Sequence, residues 1–263
     1  MAADILDIVH ECDRVLEAGA FNDVAYNGLQ VEGRRACKRI MIACTASQRA
    51  IDSAIAGKAD TILVHHGLMW KGNSQPYTGI YKKRLKALLE HDINLIAYHL
   101  PLDASKQYGN NAYLAQLLCG KDPEWVEPGN PQSIGMVCDL KEKLAPYEIG
   151  ATLSTNLNCG VLVSQGVQKD VTRLGICSGS GSFLLDGECD FDMLITGDCT
   201  EQGWHIAQEK GIVLGVMGHD SSELGGVRLL GRYLKEKFKL ELFSELYDPM
   251  QDTALALMNP SKR

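Results

Sequence analysis

The sequence predicts an α/β protein of two similar βαβ-containing lobes with a dinuclear metal site in the cleft between them. Three observations lead there. Apolar strands alternate with helices of ordinary length, which implies parallel βαβ units. One order of elements occurs twice along the chain. Polar, metal-competent side chains stand directly after the apolar strands, where ligands bind in open parallel sheets.

The first copy of the repeat begins with the strand Arg39-Ile-Met-Ile-Ala-Cys44 and passes through a helix to Thr61-Ile-Leu-Val64, followed by His65-His66-Gly67. The second begins with Arg173-Leu-Gly-Ile-Cys177 and passes through a loop and helix to Asp192-Met-Leu-Ile-Thr196, then Gly197-Asp198. Cys44 and Val64 are twenty positions apart and Cys177 and Thr196 nineteen, so the two registers nearly coincide. Each copy then adds a helix and a strand: Lys82 to Glu90 with Ile93 to His99, and Glu201 to Lys210 with Ile212 to His219. Asn110 to Leu118 reads as a further helix with Asn110 near its cap. Lys121 to Gln132, with three Pro and a Gly-Asn pair, reads as a linker. These signals set an N-terminal lobe at 1–125 and a C-terminal lobe at 126–263, with the helix near 223–237 open to packing on the N-terminal lobe. Between Ile134 and Gly166 the expectation is a short strand, a helix interrupted at Pro146, and a strand at Gly160 to Ser164. The tail after Asp248 is expected to be loosely held.

Composition narrows the function classes. The 263 residues carry 26 Lys plus Arg against 33 Asp plus Glu, a formal charge of −7, which disfavours general coating of nucleic acid. No apolar run reaches the roughly 18 residues that a membrane-spanning helix needs. Nine Cys, an odd number without CxxC spacing, fit reduced thiols in a cytoplasmic protein. Lys82-Lys83-Arg84 with Lys86 is a compact basic run, read as a solvated helix face rather than a nucleic-acid contact.

His65-His66-Gly67 carries the most specific chemistry. Neighbouring strand residues point to opposite faces, but a strand that ends at Gly67 can aim both imidazoles at one site. The spacing His-x3-carboxylate occurs in both halves, as His99-Leu-Pro-Leu-Asp103 and His219-Asp-Ser-Ser-Glu223. On a helix the second pair shares a face; at the first, Pro101 suggests an irregular turn. His65, His66, Asp103, His219 and Glu223 form a donor set for two divalent ions, with iron, zinc, manganese and nickel all compatible. So few ligands leave coordination open for water, which favours catalysis. Asp198 is read as a helix N-cap before Thr200 and Glu201 rather than a ligand. The loop at Ser178-Gly179-Ser180-Gly181 is a weak candidate for substrate binding through a phosphate, against a plain tight turn. Cys44 and Cys177 are read as small buried apolar residues, and His10, His91 and His205 as ordinary polar histidines.

The stretches Asn27-Gly-Leu-Gln-Val-Glu-Gly33, Val64-His-His-Gly67 with Trp70-Lys-Gly72, His99-Leu-Pro-Leu-Asp-Ala104, Gly109-Asn-Asn111, Ile195-Thr-Gly197 and Gly218-His219 with Glu223 resemble the NIF-three-like family, the GTP cyclohydrolase I type 2 homologues. The resemblance runs from about residue 20 to residue 240. It implies two α/β lobes around a dinuclear metal centre and a toroidal homohexamer, and it places the metals on the five residues above. It puts His99 close to the metals, as a group orienting a ligand or substrate, with Glu223 or His99 moving protons. Asp220-Ser221 departs from the family pattern and adds a carboxylate beside His219. The activity implied is hydrolysis of a purine nucleotide or similar small molecule in the cytoplasm. The alternative is a metal-handling protein, or a ring-shaped scaffold for a nucleic acid or protein partner, without turnover.

Overall fold

The computed structural model describes residues 2–72, 76–130, 132–165 and 169–244. Among the described residues the chain forms two compact units: 2–102 with 226–244, and 103–225. The division falls earlier than the expected boundary after residue 125, and the reason is packing. Leu114, Ala115 and Leu118 of the helix Asn110–Leu118 belong to the apolar core of the second unit. The expected linker contains a short strand, Glu124–Trp125, which pairs with Met136–Leu144. Trp125 Nε1 also donates to the Ala104 carbonyl at 3.0 Å.

In the first unit a five-stranded sheet runs in the order Glu241–Ser244, Arg39–Thr45, Thr61–His66, Asn94–Ala97, Gly28–Val31. The first four strands are parallel to their neighbours and the last is antiparallel. The strand Arg39–Thr45 is buried at its five central positions, as a strand covered on both faces must be. Helix Gln48–Ala56 starts where Ser47 Oγ accepts from the Ala50 amide, and it buries Ala50, Ile51 and Ala54 against the sheet. The edge strand is delivered by the long helix His219–Phe238, along which the chain passes from the second unit into the first. The part of the helix near 223–237 that was open to packing on the N-terminal lobe therefore belongs, from Gly226 onward, to the first unit.

In the second unit a six-stranded sheet has the order Glu124–Trp125, Met136–Leu144, Val171–Ser180, Met193–Asp198, Val213–Val216, Leu162–Val163. Its three middle-to-late strands, Val171–Ser180, Met193–Asp198 and Val213–Val216, pair in parallel. They are the counterpart of the parallel strands predicted in the first lobe. The two copies are not identical: a single 3₁₀ turn, Ser182–Leu185, replaces the helix expected between the first two parallel strands.

Several local expectations are corrected. Pro146 opens the helix Pro146–Leu157 instead of interrupting it, because a proline in the first turn lacks an N–H that would have had no intrahelical partner. The same physics applies at Pro101, which sits in the first turn of a short helix, Leu100–Ala104, where an irregular turn was expected. Asn110 is the first helical residue after a Gly109 cap. Cys119 and Cys138 are joined as a disulfide, their Cα atoms 6.1 Å apart, so the expectation of uniformly reduced cysteines does not hold for this pair. Among the described residues no helix is long and apolar enough to cross a membrane. The tail after Asp248 lies outside the described residues.

Candidate metal centre

The first unit places three histidines together. His65 and His66 end the strand Thr61–His66, whose register sets His66 beside Thr45 of the neighbouring strand. The turn that follows is locked by Gln30, whose Oε1 accepts from the amides of Leu68 at 2.7 Å and Met69 at 3.0 Å. Gly67 is required there, because a Cβ would collide with the Gln30 side chain. His65 is fully buried, and its Nδ1–H donates to the Tyr98 carbonyl at 2.9 Å. That bond fixes the tautomer and leaves Nε2 with the lone pair a metal needs. The ring of His99 lies 5.1 Å from that of His65 and 5.7 Å from that of His66. One nitrogen from each of the three histidines lies within 4.8 Å of the others. His99 therefore stands beside His65 and His66.

Two partners of this group escaped the sequence. Asp23 is buried and accepts from His99 Nδ1 at 2.8 Å, the Leu100 amide at 2.9 Å, the Ala25 amide at 3.0 Å and Asn27 Nδ2 at 3.0 Å. Burial alone raises a carboxyl pKa, but here the bonds from His99, Ala25 and Asn27 outweigh it and hold Asp23 below the usual carboxylate range. Asp23 thus stays ionised and keeps the His99 proton on Nδ1. No motif marks it, since its role depends on a contact with a residue far along the chain. Cys44, read as a plain apolar residue, is buried with its Sγ 4.0 Å from His66 Nδ1, and Thr45 Oγ1 lies 3.3 Å from the same nitrogen. The parallel register of the two strands produces both contacts.

The second unit presents carboxylates. Asp103 Oδ1 accepts from Asn110 Nδ2 at 2.8 Å and from Ser178 Oγ at 3.0 Å, all three residues being buried. Glu223 is also buried, and its carboxylate comes within 4.8 Å of that of Asp103. His219 and Glu223 share one helix face as expected, with Nε2 and Oε1 3.2 Å apart. On its other side His219 Nδ1 donates to Asp198 Oδ2 at 2.6 Å. The bond to Glu223, assisted by Asp198, lifts the His219 pKa to about 9 despite partial burial. Asp198 is thus the orienting partner of His219, and not the helix N-cap it was expected to be. Thr200 takes that place, its hydroxyl accepting from the Gly203 amide. Asp220 lies in the first turn of the helix His219–Phe238, where a negative charge suits the helix dipole.

The loop Ser178-Gly179-Ser180-Gly181 supports these carboxylates. Gly179 has φ +62°, and a Cβ on it would strike Glu223 Oε1. Its amide donates to Ser222 Oγ at 2.9 Å, while Ser178 N donates to Asn111 Oδ1 at 2.7 Å and Gly181 N to Thr196 Oγ1 at 2.9 Å. With these amides bonded inside the protein, the loop offers a poor phosphate cradle. Gly179 serves close packing against Glu223 and His219, and Gly181 against Cys177 and Thr196.

Imidazoles held through hydrogen bonds in one unit and a buried carboxylate pair with an oriented histidine in the other are groups that could hold a metal in an α/β protein. The chain belongs to the DUF34/NIF3 (NGG1p interacting factor 3) family, whose pattern it matches over residues 3–249. It is 39% identical to the GTP cyclohydrolase 1 type 2 homolog of Pseudomonas aeruginosa over 95% of this chain and 100% of that one. It is 37% identical to the protein of the same name from Haemophilus influenzae, covering 93% of this chain and 98% of the other. Among solved structures, TTHA1606 from Thermus thermophilus superposes with a TM-score of 0.85 at 31% identity, covering 94% of this chain and 99% of that chain.

Proposed function

We propose that the protein is a dinuclear metal-dependent hydrolase acting on a purine nucleotide or a similar small molecule. His65, His66, Asp103, His219 and Glu223 would hold two divalent ions, drawn from iron, zinc, manganese or nickel. The observation that carries this reading is the fixed protonation geometry of the donors. His65 is held through Nδ1 by the Tyr98 carbonyl, which leaves Nε2 for an ion, and His219 is oriented through Nδ1 by Asp198, so that its Nε2, bonded to Glu223 here, would turn to an ion once its proton is displaced. The buried carboxylates of Asp103 and Glu223 supply negative charge that two cations would offset. Such ions supply Lewis acidity and acidify water near neutral pH. The chain's own residues do the rest. His99, with Asp23 behind it, is set to hold or pass a proton at Nε2, and Glu223 can accept one. The shared name of the bacterial relatives makes GTP the first substrate to try.

The test is elemental analysis of the purified protein, reconstitution with the metal found, and a turnover screen that begins with GTP. His66→Ala is expected to abolish turnover and lower metal content while the circular dichroism spectrum is kept. Folded, metal-loaded protein that is inert across nucleotides, phosphodiesters and amides contradicts the reading. The family resemblance adds a homohexameric ring to the proposal, which sedimentation of the same preparation checks.

A further inference from the structure

Beside the histidine group, within the first unit, lies a cleft of about 850 Å³ lined by Tyr26, Trp70, Tyr77, Tyr81 and Arg84 among others. That volume is in the range of small-molecule sites. Trp70 joins the cleft to the histidines: its ring lies 5.2 Å from that of His99, edge-on, and 5.9 Å from that of His66. Tyr77 and Tyr81 are stacked, ring centroids 5.4 Å apart. The walls are built in place by backbone pairing, with Ala25 bridged to Trp70, Tyr26 N donating to the Met69 carbonyl and Lys71 N to that of Val24. Yet Tyr26 and Tyr77 remain 53% and 62% exposed, an unusual outlay of aromatic surface.

The sequence that forms this wall is rich in basic residues. From Gly67 to Leu89 the sequence contains Lys71, Lys82, Lys83, Arg84 and Lys86 and no Asp or Glu. Arg84 is half-buried, and its Nε is shielded from solvent with no hydrogen-bond partner among the described residues. A buried guanidinium donor without an acceptor is costly, and a bound anion relieves the cost. Lys71 Nζ stands 5.9 Å from the Tyr26 ring.

We infer that this cleft is a nucleotide subsite, in which the aromatic wall of Trp70, Tyr77 and Tyr81 stacks a heteroaromatic base and Arg84, with Lys71, takes the phosphates. The choice of a nucleotide follows from the pairing of open aromatic faces, which are tolerant of any base, with a guanidinium whose Nε has no partner among the described residues and which selects an oxyanion. The inference deepens the hydrolase reading and rests on it only for the guanine base of the probe.

The experiment is calorimetric titration of the full chain with GTP, guanosine and tripolyphosphate, for the wild type, Arg84→Ala and Tyr77→Ala. Arg84→Ala is expected to weaken GTP and tripolyphosphate about tenfold and leave guanosine unchanged. Tyr77→Ala is expected to weaken GTP and guanosine by roughly five- to tenfold and leave tripolyphosphate unchanged. Metal content is expected to match wild type in both. GTP affinity unchanged in both variants overturns the subsite. So does a short single-stranded DNA that binds more tightly than GTP and loses affinity in the same variants, which makes the wall a strand-binding surface. GTP bound with the predicted pattern but not turned over leaves the subsite standing and counts against the hydrolase. Turnover with KM unaltered by either substitution does the reverse.

Discussion

Gly179 and Asp23 show how single residues shape the candidate site without being donors. At Gly179 the backbone is left-handed and an alanine Cβ would point into the Glu223 carboxylate. Gly179→Ala is expected to cost about 1–3 kcal/mol of stability and to lower metal content, measured by thermal melting and elemental analysis. A variant as stable and as metal-rich as wild type would show that Glu223 is free to move aside. Asp23 is expected to keep the His99 proton on Nδ1. Asp23→Asn should remove the downfield ring N–H resonance of His99 in proton NMR while that of His65, bonded to the Tyr98 carbonyl, survives. Persistence of both signals would mean that another group holds His99.

Among the elements, strands and helices were the part most legible in the sequence. The apolar runs at Arg39, Thr61, Arg173 and Ile212 became parallel strands because burial on both faces leaves a continuous apolar signature. Pro101 and Pro146 misled where first-turn positions tolerate what helix interiors do not. Of the candidate site, the histidines and carboxylates were legible by spacing, but the contacts of Asp23, Asp198 and Cys44 arise from strand register and long-range hydrogen bonds that no local pattern encodes. One element also carries a pH signature. Asp192, just before the strand Met193–Asp198, is raised by burial but held down to about 2 by bonds from Lys169, Thr172 and the Arg173 amide. A carboxyl depressed on folding stabilises above its ordinary value of 3.8 and loses that contribution as pH falls towards 2. With solvent screening of this partly exposed pair, the stability gap between wild type and Asp192→Asn is therefore expected to be about 1 kcal/mol near neutrality and to shrink below pH ~4. Urea denaturation across this range measures it, and a constant gap would assign the effect to something other than charge.

At the scale of the whole molecule, the acidic balance of −7 takes on a specific meaning. Two divalent ions would offset up to four of those charges, so part of the acidity belongs to the proposed centre and is silent about partners. The concentration of basic residues between Gly67 and Leu89 then stands out against an acidic chain as a local feature with its own ligand chemistry. The central proposal is that His65, His66, Asp103, His219 and Glu223 hold two divalent ions. Metal stoichiometry of the wild type set beside that of His66→Ala and Glu223→Ala tests it most directly. The account predicts close to two ions per chain in the wild type and a loss in both variants. Metal retained in full by either variant, or bound by neither the variants nor the wild type, would contradict it.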